Sequence, residues 1–397
     1  MPISRPSLWT RDFILLSLSN LLFSIAFYFM VPSLPLFYSY LLQSDNFTIG
    51  ILVALYTIAA LFIRPFTGIA LDVMGRKYIF LISFFLFGAF YFAYPIISSF
   101  AGIILLRILH GFTWGALTSS STTVAVDLLP PERRGEGLGF FGLAMTLAMG
   151  VGPLIGLWII GSGNHFDYMF YTGATLSLAG FLLAMLITYK PFTPHPNHTG
   201  FKFENIFERT SLPVALAMLL LMIPYGGLLS FVSKYGLTMG IANPGIFFIS
   251  FAIGIGLSRI FSGKIFDTNG PLRITITGII SLIFGFLILS LMQNIYGYLG
   301  SAFILGIGIG IIFPVFQAMV NNIVSPQKRG VANATLFTAL DIGIGFGIIF
   351  TGWASMQFSF PTAFLFSSGI SFLGLIWFFK ANTYYKSHKL NNKKTTL

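Results

Sequence analysis

The chain reads as a succession of long apolar runs separated by short polar loops. A helix needs about 20 residues to cross the ~30 Å hydrocarbon core of a bilayer. Runs of that length predict spans near 13–38, 47–71, 78–98, 101–126, 136–160 and 167–189. A second set is predicted near 212–233, 243–266, 273–293, 295–320, 331–353 and 361–380. The runs are continuous and lack the period-2 alternation of barrel strands, so the expected fold class is an all-α integral membrane protein with twelve transmembrane helices.

Composition agrees with that pattern. Of 397 residues 56% are hydrophobic and only 8% charged, against roughly 25% charged in an average soluble domain. With so few charges the chain has too little polar surface to face water on all sides. The first apolar run is too long for the core of a cleavable signal peptide and contains Pro32 and Pro35, so no leader is expected. There is no cysteine, which excludes disulfides and thiolate metal sites.

A net charge of +11 raises the question of nucleic acid, and the distribution of the charge answers it. With a cytoplasmic N-terminus, 18 of the 22 Lys and Arg residues fall in cytoplasmic loops and tails. Arg64, Arg107 and Arg259 lie within or at the ends of spans, and Lys234 lies near the outer face. That asymmetry is the positive-inside pattern and predicts both termini in the cytoplasm. The basic charge therefore needs no nucleic-acid partner. The Lys-rich stretch after Lys380 is expected to be solvated and close to the lipid surface.

The longest polar break, residues 190–210, divides the chain into 1–189 and 211–397, each with six predicted spans. The two parts share a pattern. Arg64, Gly68, Asp72 and Gly75 match Arg259, Gly263, Asp267 and Gly270 at an offset of 195 residues. Pro131 to Gly135 matches Pro326 to Gly330, and Gly115 matches Gly310, in the same register. An internal duplication is the plain reading, and duplicated bundles are a common build for secondary transporters.

The loop after the second span reads Gly68-Ile-Ala-Leu-Asp72-Val-Met-Gly75-Arg76-Lys77. It resembles the major facilitator loop signature G-x-x-x-D-R-x-G-R-R, with Val73 where a basic residue is usual. The resemblance implies two pseudo-symmetric six-helix bundles that rock about a central site. In that reading Arg64, Gly68, Asp72, Gly75, Arg76 and Lys77, with Arg259, Gly263 and Asp267 in the second half, form a cytoplasmic gate. Asp72 would pair with Arg76 or another basic neighbour, and the glycines would allow a sharp turn and close helix ends. The alternative is an ordinary helix-to-turn ending, which the repetition in the second half disfavours.

Other spans carry further candidates. Arg107-Ile-Leu-His110-Gly111 is similar to the family's fourth-helix R-x-x-Q-G pattern, with His110 at the Gln position. A buried guanidinium costs several kcal/mol unless paired, so Arg107 should face the bundle interior. Its role is either charge balance with a proton or substrate, or a structural hydrogen bond. His110 is either a packing histidine or a proton carrier. In the fifth span Gly152-Pro153 and Gly156 partly match the antiporter signature of drug/proton exchangers, and a Gly-Pro step there implies a kink that suits a pivot. Asp341 is the one acidic residue of eleven placed well inside an apolar span, ~15 Å along its helix. Desolvation at such depth lets a carboxyl take up and release protons, as coupling requires; the alternative is a neutral, hydrogen-bonded carboxyl. Since the first, fourth, seventh and tenth helices line the cavity in this family, Tyr28, Tyr225 and Gln317 are candidate lining residues, or plain packing.

Together these features imply a secondary active transporter, with proton-coupled export of small amphiphilic molecules by alternating access as the leading expectation. A proton-coupled importer of a small metabolite such as a sugar is the alternative. An intramembrane enzyme or a sensor is less consistent, because paired carboxylates, metal-binding and nucleophile motifs, a phosphate-cradling loop and a signalling domain are all missing from the sequence. No cofactor and no metal are expected. The expected partners are the small-molecule substrate, protons and the lipid bilayer, around a monomer in a bacterial inner membrane.

Overall fold

A computed structural model describes residues 7–130, 133–161, 163–189, 207–325 and 328–394; the side chains of Asp72, Asp267 and 389–394 lie outside that description. Among the described residues the chain is helical throughout, with no strand. The helices are α1 (Arg11–Met30), α2 (Leu34–Leu42), α3 (Asn46–Val73), α4 (Arg76–Tyr91), α5 (Phe100–Leu128), α6 (Arg134–Ile160) and α7 (Phe166–Met185). After a 3-10 turn at Arg209–Ser211 come α8 (Leu212–Thr238), α9 (Ile246–Asn269), α10 (Pro271–Leu291), α11 (Ile295–Ile323), α12 (Arg329–Gln357) and α13 (Phe360–Lys394).

Eleven of these helices are long and apolar enough to cross a membrane; the third expected span is the 16-residue α4, which is followed by hydrogen-bonded turns. Three expected boundaries are corrected. The span near 13–38 is broken into α1 and α2 by a turn at 31–33. Pro32 has no N–H to continue the helical ladder, and Ser33 closes the turn by donating its amide to the Met30 carbonyl at 3.1 Å. The span near 78–98 ends as a helix at Tyr91. The last helix does not stop near residue 380 but runs on to Lys394, and the first turns of this extension bury Ala381, Asn382 and Tyr385, so the stretch after Lys380 is not simply solvated.

The described residues form two compact units, one drawn from Met1–Ser33 and Ile58–His198, the other from Leu34–Thr57 and Thr199–Leu397. Helix α3 thus contributes its first turns to the second unit and its remainder to the first. Within the first unit an aromatic core joins α1, α4 and α5: Phe27 stacks on Trp114 at 3.8 Å, and Phe23 meets Phe84 edge-on at 5.4 Å. Within the second unit small residues let α8 and α12 approach backbone to backbone. A Cβ on Gly226 would strike Ile344, and one on Gly347 would strike the Ile223 carbonyl. Such small-residue seams are how membrane helices associate where lipid removes most of the hydrophobic drive. Large apolar side chains such as Phe62, Trp158 and Phe261 are exposed, which suits a chain whose solvent is lipid.

The duplication is visible in the backbone. Helices α5 and α11 have equal length and begin 195 residues apart, capped by Ser99 and Asn294, which accept from the amides of Gly102 and Gly297. Gly75 (φ 86°) starts α4 and Gly270 (φ 75°) starts α10, both in the region where only glycine is unstrained.

Candidate functional site

In the first unit the polar interior is built around Arg107. Helix α5 carries Arg107 and His110 one turn apart, and both are buried. Between them stands Tyr94, in the turn after α4, which the sequence reading did not single out. Arg107 Nη1 donates to the Tyr94 hydroxyl at 3.2 Å, and that hydroxyl lies 3.1 Å from His110 Nδ1. The Tyr94 ring stacks on Phe170 of α7 at 4.7 Å, while Phe87 and Tyr91 of α4 pack against the imidazole. Tyr91 donates to the Ala26 carbonyl of α1 at 2.6 Å. The structure therefore brings the expected pair Arg107 and His110 together, through a third residue, in an aromatic and water-poor setting.

The expected gate residues lie along α3 and the α3–α4 turn. Arg64 is half-buried; Gly68 faces open space, with nothing near a Cβ built there. Gly75 supplies the left-handed turn. The Asp72 side chain is outside the described residues, and the ion pair observed here is a different one. Arg76 Nε donates to Asp127 Oδ2 of α5 at 3.0 Å and Nη1 to the Leu71 carbonyl at 3.3 Å, so the turn is tied to the end of α5. Asp127 was legible only as a charge at a span end. Lys77 is exposed, its ammonium 6.0 Å from the Tyr189 ring. Burial, then the Asp12 carboxylate, push the Tyr189 hydroxyl above its ordinary range.

The α6 candidates pack against α1. A Cβ on Gly156 would come within 2.6 Å of the Phe29 carbonyl, and one on Gly152 within 3.1 Å of Tyr28 Cβ. Tyr28 is thus buried at the α1–α6 seam. Helix α6 runs unbroken through Pro153.

In the second unit Asp341 sits on α12, 8% exposed, two residues before Gly343, whose missing side chain admits the backbone of α8. Gln317 of α11 is half-buried. Tyr225 of α8 stacks on Phe251 at 6.2 Å and lies within electrostatic reach of Arg259 on α9, itself largely exposed. Gly263 faces open space, as Gly68 does; the Asp267 side chain is outside the described residues.

Two further polar clusters were missed. Lys234 Nζ donates to Ser39 Oγ and Asn46 Oδ1, both at 2.6 Å, and Asn46 Nδ2 donates to Ser355 Oγ at 3.1 Å, joining α2, α3, α8 and α12. The signal was Lys234 itself, a lone cation near a span end. Beside this cluster the Thr48 amide and hydroxyl hold the Asp45 carboxyl below its ordinary range. At the start of α8, the Glu208 amide donates to Thr335 Oγ1 at 2.9 Å and its carboxylate pairs with Lys328 at 3.3 Å. Among the described residues no group of side chains fits a metal ion.

The helical architecture, the repeated turns and the buried polar centres define a membrane transporter, and the chain belongs to the Major Facilitator Superfamily, whose family model matches residues 16–300 and 245–396. It is 24% identical to an MFS-type transporter of Methanocaldococcus jannaschii over 86% of this chain and 90% of that one. It is 24% identical to the quinolone resistance protein NorA of Staphylococcus aureus (87% and 90% covered) and 21% identical to the staphylopine export protein of the same species (77% and 80%). Among solved structures, a peptide transporter POT aligns with a TM-score of 0.79 at 14% identity (95% of each chain), and the nucleoside transporter NupG with 0.77 at 15% (92% of this chain, 98% of that one). These last likenesses concern the fold. The chain is a multi-pass membrane transporter of small molecules, and its family is one of transporters rather than enzymes.

Proposed function

We propose that this transporter exports small amphiphilic molecules in exchange for protons, by alternating access. The observation that carries the reading is Asp341, an acid buried in the apolar helix α12. An ionisable group at membrane depth is a functional candidate by default, and a carboxyl that is alternately wetted and sealed takes up and releases a proton. The relatives named for quinolone resistance and staphylopine export favour the outward direction. Arg107 and His110 are the matching polar centre of the first unit, and Tyr28, Tyr225 and Gln317 are proposed to line the substrate cavity.

The α3–α4 turn, with Arg64, Gly68, Asp72, Gly75, Arg76 and Lys77, is the proposed cytoplasmic gate, together with Arg259, Gly263 and Asp267 in the second half. Gly152, Pro153 and Gly156 form the proposed pivot. The transporting unit is a monomer of two six-helix halves, 1–189 and 211–397 joined by 190–210, in the bacterial inner membrane. Both termini are cytoplasmic, on the basis of the charge asymmetry.

The test compares metabolites in cells and spent medium for strains lacking the protein, overproducing it, or carrying Asp341→Asn. A compound that leaves with the wild type and is retained by the variant supports export and names the substrate. Accumulation inside wild-type cells replaces export by import.

A further inference from the structure

Tyr94 places its hydroxyl between two buried nitrogen groups of α5. Its hydroxyl is buried, the residue being 1% exposed, and among the described residues it has two polar partners, Arg107 and His110. A guanidinium can only donate, so the Arg107 bond uses a lone pair of the phenol oxygen. The phenol hydrogen still needs an acceptor, because a buried O–H left unbonded costs about 1–3 kcal/mol. His110 Nδ1 is the acceptor in reach. In the arrangement proposed here Nδ1 accepts from the phenol and the neutral imidazole is the Nε2–H tautomer.

We propose that Tyr94 is a positioning residue that makes the placement of Arg107 depend on the protonation state of His110. The proposal deepens the proton-exchange reading and rests on it. With neutral His110 the donors run in one direction, from Arg107 to Tyr94 to His110. Adding one proton at Nδ1 turns the acceptor into a donor. The phenol oxygen then faces N–H groups from both sides, two cations share one neutral oxygen, and the phenol hydrogen has lost its acceptor. Arg107 and the imidazolium cannot both keep this arrangement, so a proton taken up by His110 displaces the guanidinium, and its loss draws Arg107 back.

The titratable and charged groups facing the imidazole are Tyr91 on α4, Tyr94 in the turn beyond it and Arg107 on α5. Helix α4 also brings the Phe87 carbonyl to the imidazole, α1 contributes the Ala26 carbonyl, which Tyr91 already engages, and α7 contributes the Phe170 ring. The phenol bridges the two nitrogen groups, and Tyr94→Phe removes that bridge while keeping the ring on Phe170.

The experiment is nitrogen NMR of the full chain in lipid nanodiscs, labelled at histidine and arginine, with His110→Gln to assign the imidazole and Arg107→Lys to assign the guanidinium. It requires no substrate. In the wild type we expect His110 Nδ1 unprotonated and Nε2 protonated near neutral pH, and the Arg107 resonances to move in step with the His110 titration. In Tyr94→Phe we expect a mixture of tautomers, a His110 midpoint displaced by at least about half a pH unit, and Arg107 resonances that no longer follow it. A wild-type His110 with its proton on Nδ1 overturns the tautomer assignment. Arg107 resonances that track His110 equally well in Tyr94→Phe overturn the linkage. Wild-type transport that does not respond to a pH gradient would instead remove the proton-exchange reading, a failure separate from either NMR result.

Discussion

The two halves of the sequence repeat share their turns and differ in their chemistry. At an offset of 195, Gly75 and Gly270 turn the chain with the same sign of φ, and Ser99 and Asn294 cap helices of equal length. At the same offset Tyr94, Arg107 and His110 become Leu289, Ala302 and Leu305, so the buried polar centre of the first half is aliphatic in the second. Asp341 aligns with Thr146, whose hydroxyl donates to the Gly142 carbonyl of its own helix. The Arg76–Asp127 pair becomes Pro271 and Asn322. Backbone turns and caps are what both halves need in order to fold. Ionisable groups are costly in a membrane, and Arg107, His110 and Asp341 each occur in one half without an ionisable counterpart in the other. The repeat-related pair Ser39 and Lys234 makes direct contact, both residues lying within the second unit.

That contrast can be broken most sharply at Asp341. Asp341→Asn is expected to lower pH-driven flux of the compound identified in cells at least tenfold, on the scale that loss of a coupling group costs. Thr146→Val, at the matching position, is expected to leave it within about twofold, a change of under 1 kcal/mol. Equal losses in both would mean that the asymmetry is unrelated to coupling. Next in size is Gly347→Ala, where a methyl group meets the Ile223 carbonyl across the α8–α12 seam. Overpacking of that kind costs about 1–3 kcal/mol or more and should appear as a lower melting temperature in detergent. Gly263→Ala, with nothing near its Cβ, should be neutral or slightly stabilising.

Smaller effects concern ion pairs outside the spans. Asp127→Asn breaks the pair with Arg76, whose partners are each about one-third exposed, with side-chain exposures of 34% and 36%. The expected loss is within about 1 kcal/mol, read as a small shift in melting temperature that salt diminishes. Glu208 gives the smallest and most specific signal. Burial alone would raise its carboxyl, but hydrogen bonds from Thr210 and the Lys328 ammonium outweigh it, and its value lies below the ordinary 4.5. A carboxyl lowered by folding stabilises the protein above its unfolded value, and that contribution disappears as pH falls through the folded one. The melting temperature should therefore fall as pH drops below about 4.5, and Glu208→Gln should weaken that dependence.

Much of the fold was legible in the sequence for a simple reason. In lipid, length and apolarity alone decide what spans, and the repeat and loop signature pointed to the family. Boundaries were lost where local chemistry overrode hydropathy, as at Pro32, where a continuous apolar run hides a break. Arg107 and His110 stood out because charge and imidazole are rare inside spans. Their partner Tyr94 did not, since a tyrosine near a span end is ordinary and nothing in the spacing of 13 and 16 residues joins it to them. The same holds for Arg76, one carboxylate partner of which comes from 51 residues downstream. Pairing across helices is decided by packing, which sequence spacing does not encode.

The most direct measurement reconstitutes wild type and Asp341→Asn in liposomes and follows the identified compound in two ways, driven by a pH gradient and in exchange at equal pH. Loss of the driven flux with exchange retained in Asp341→Asn is the expected result, because alternation survives while its coupling to protons does not. A variant that still moves the compound uphill when a pH gradient is applied would contradict the account.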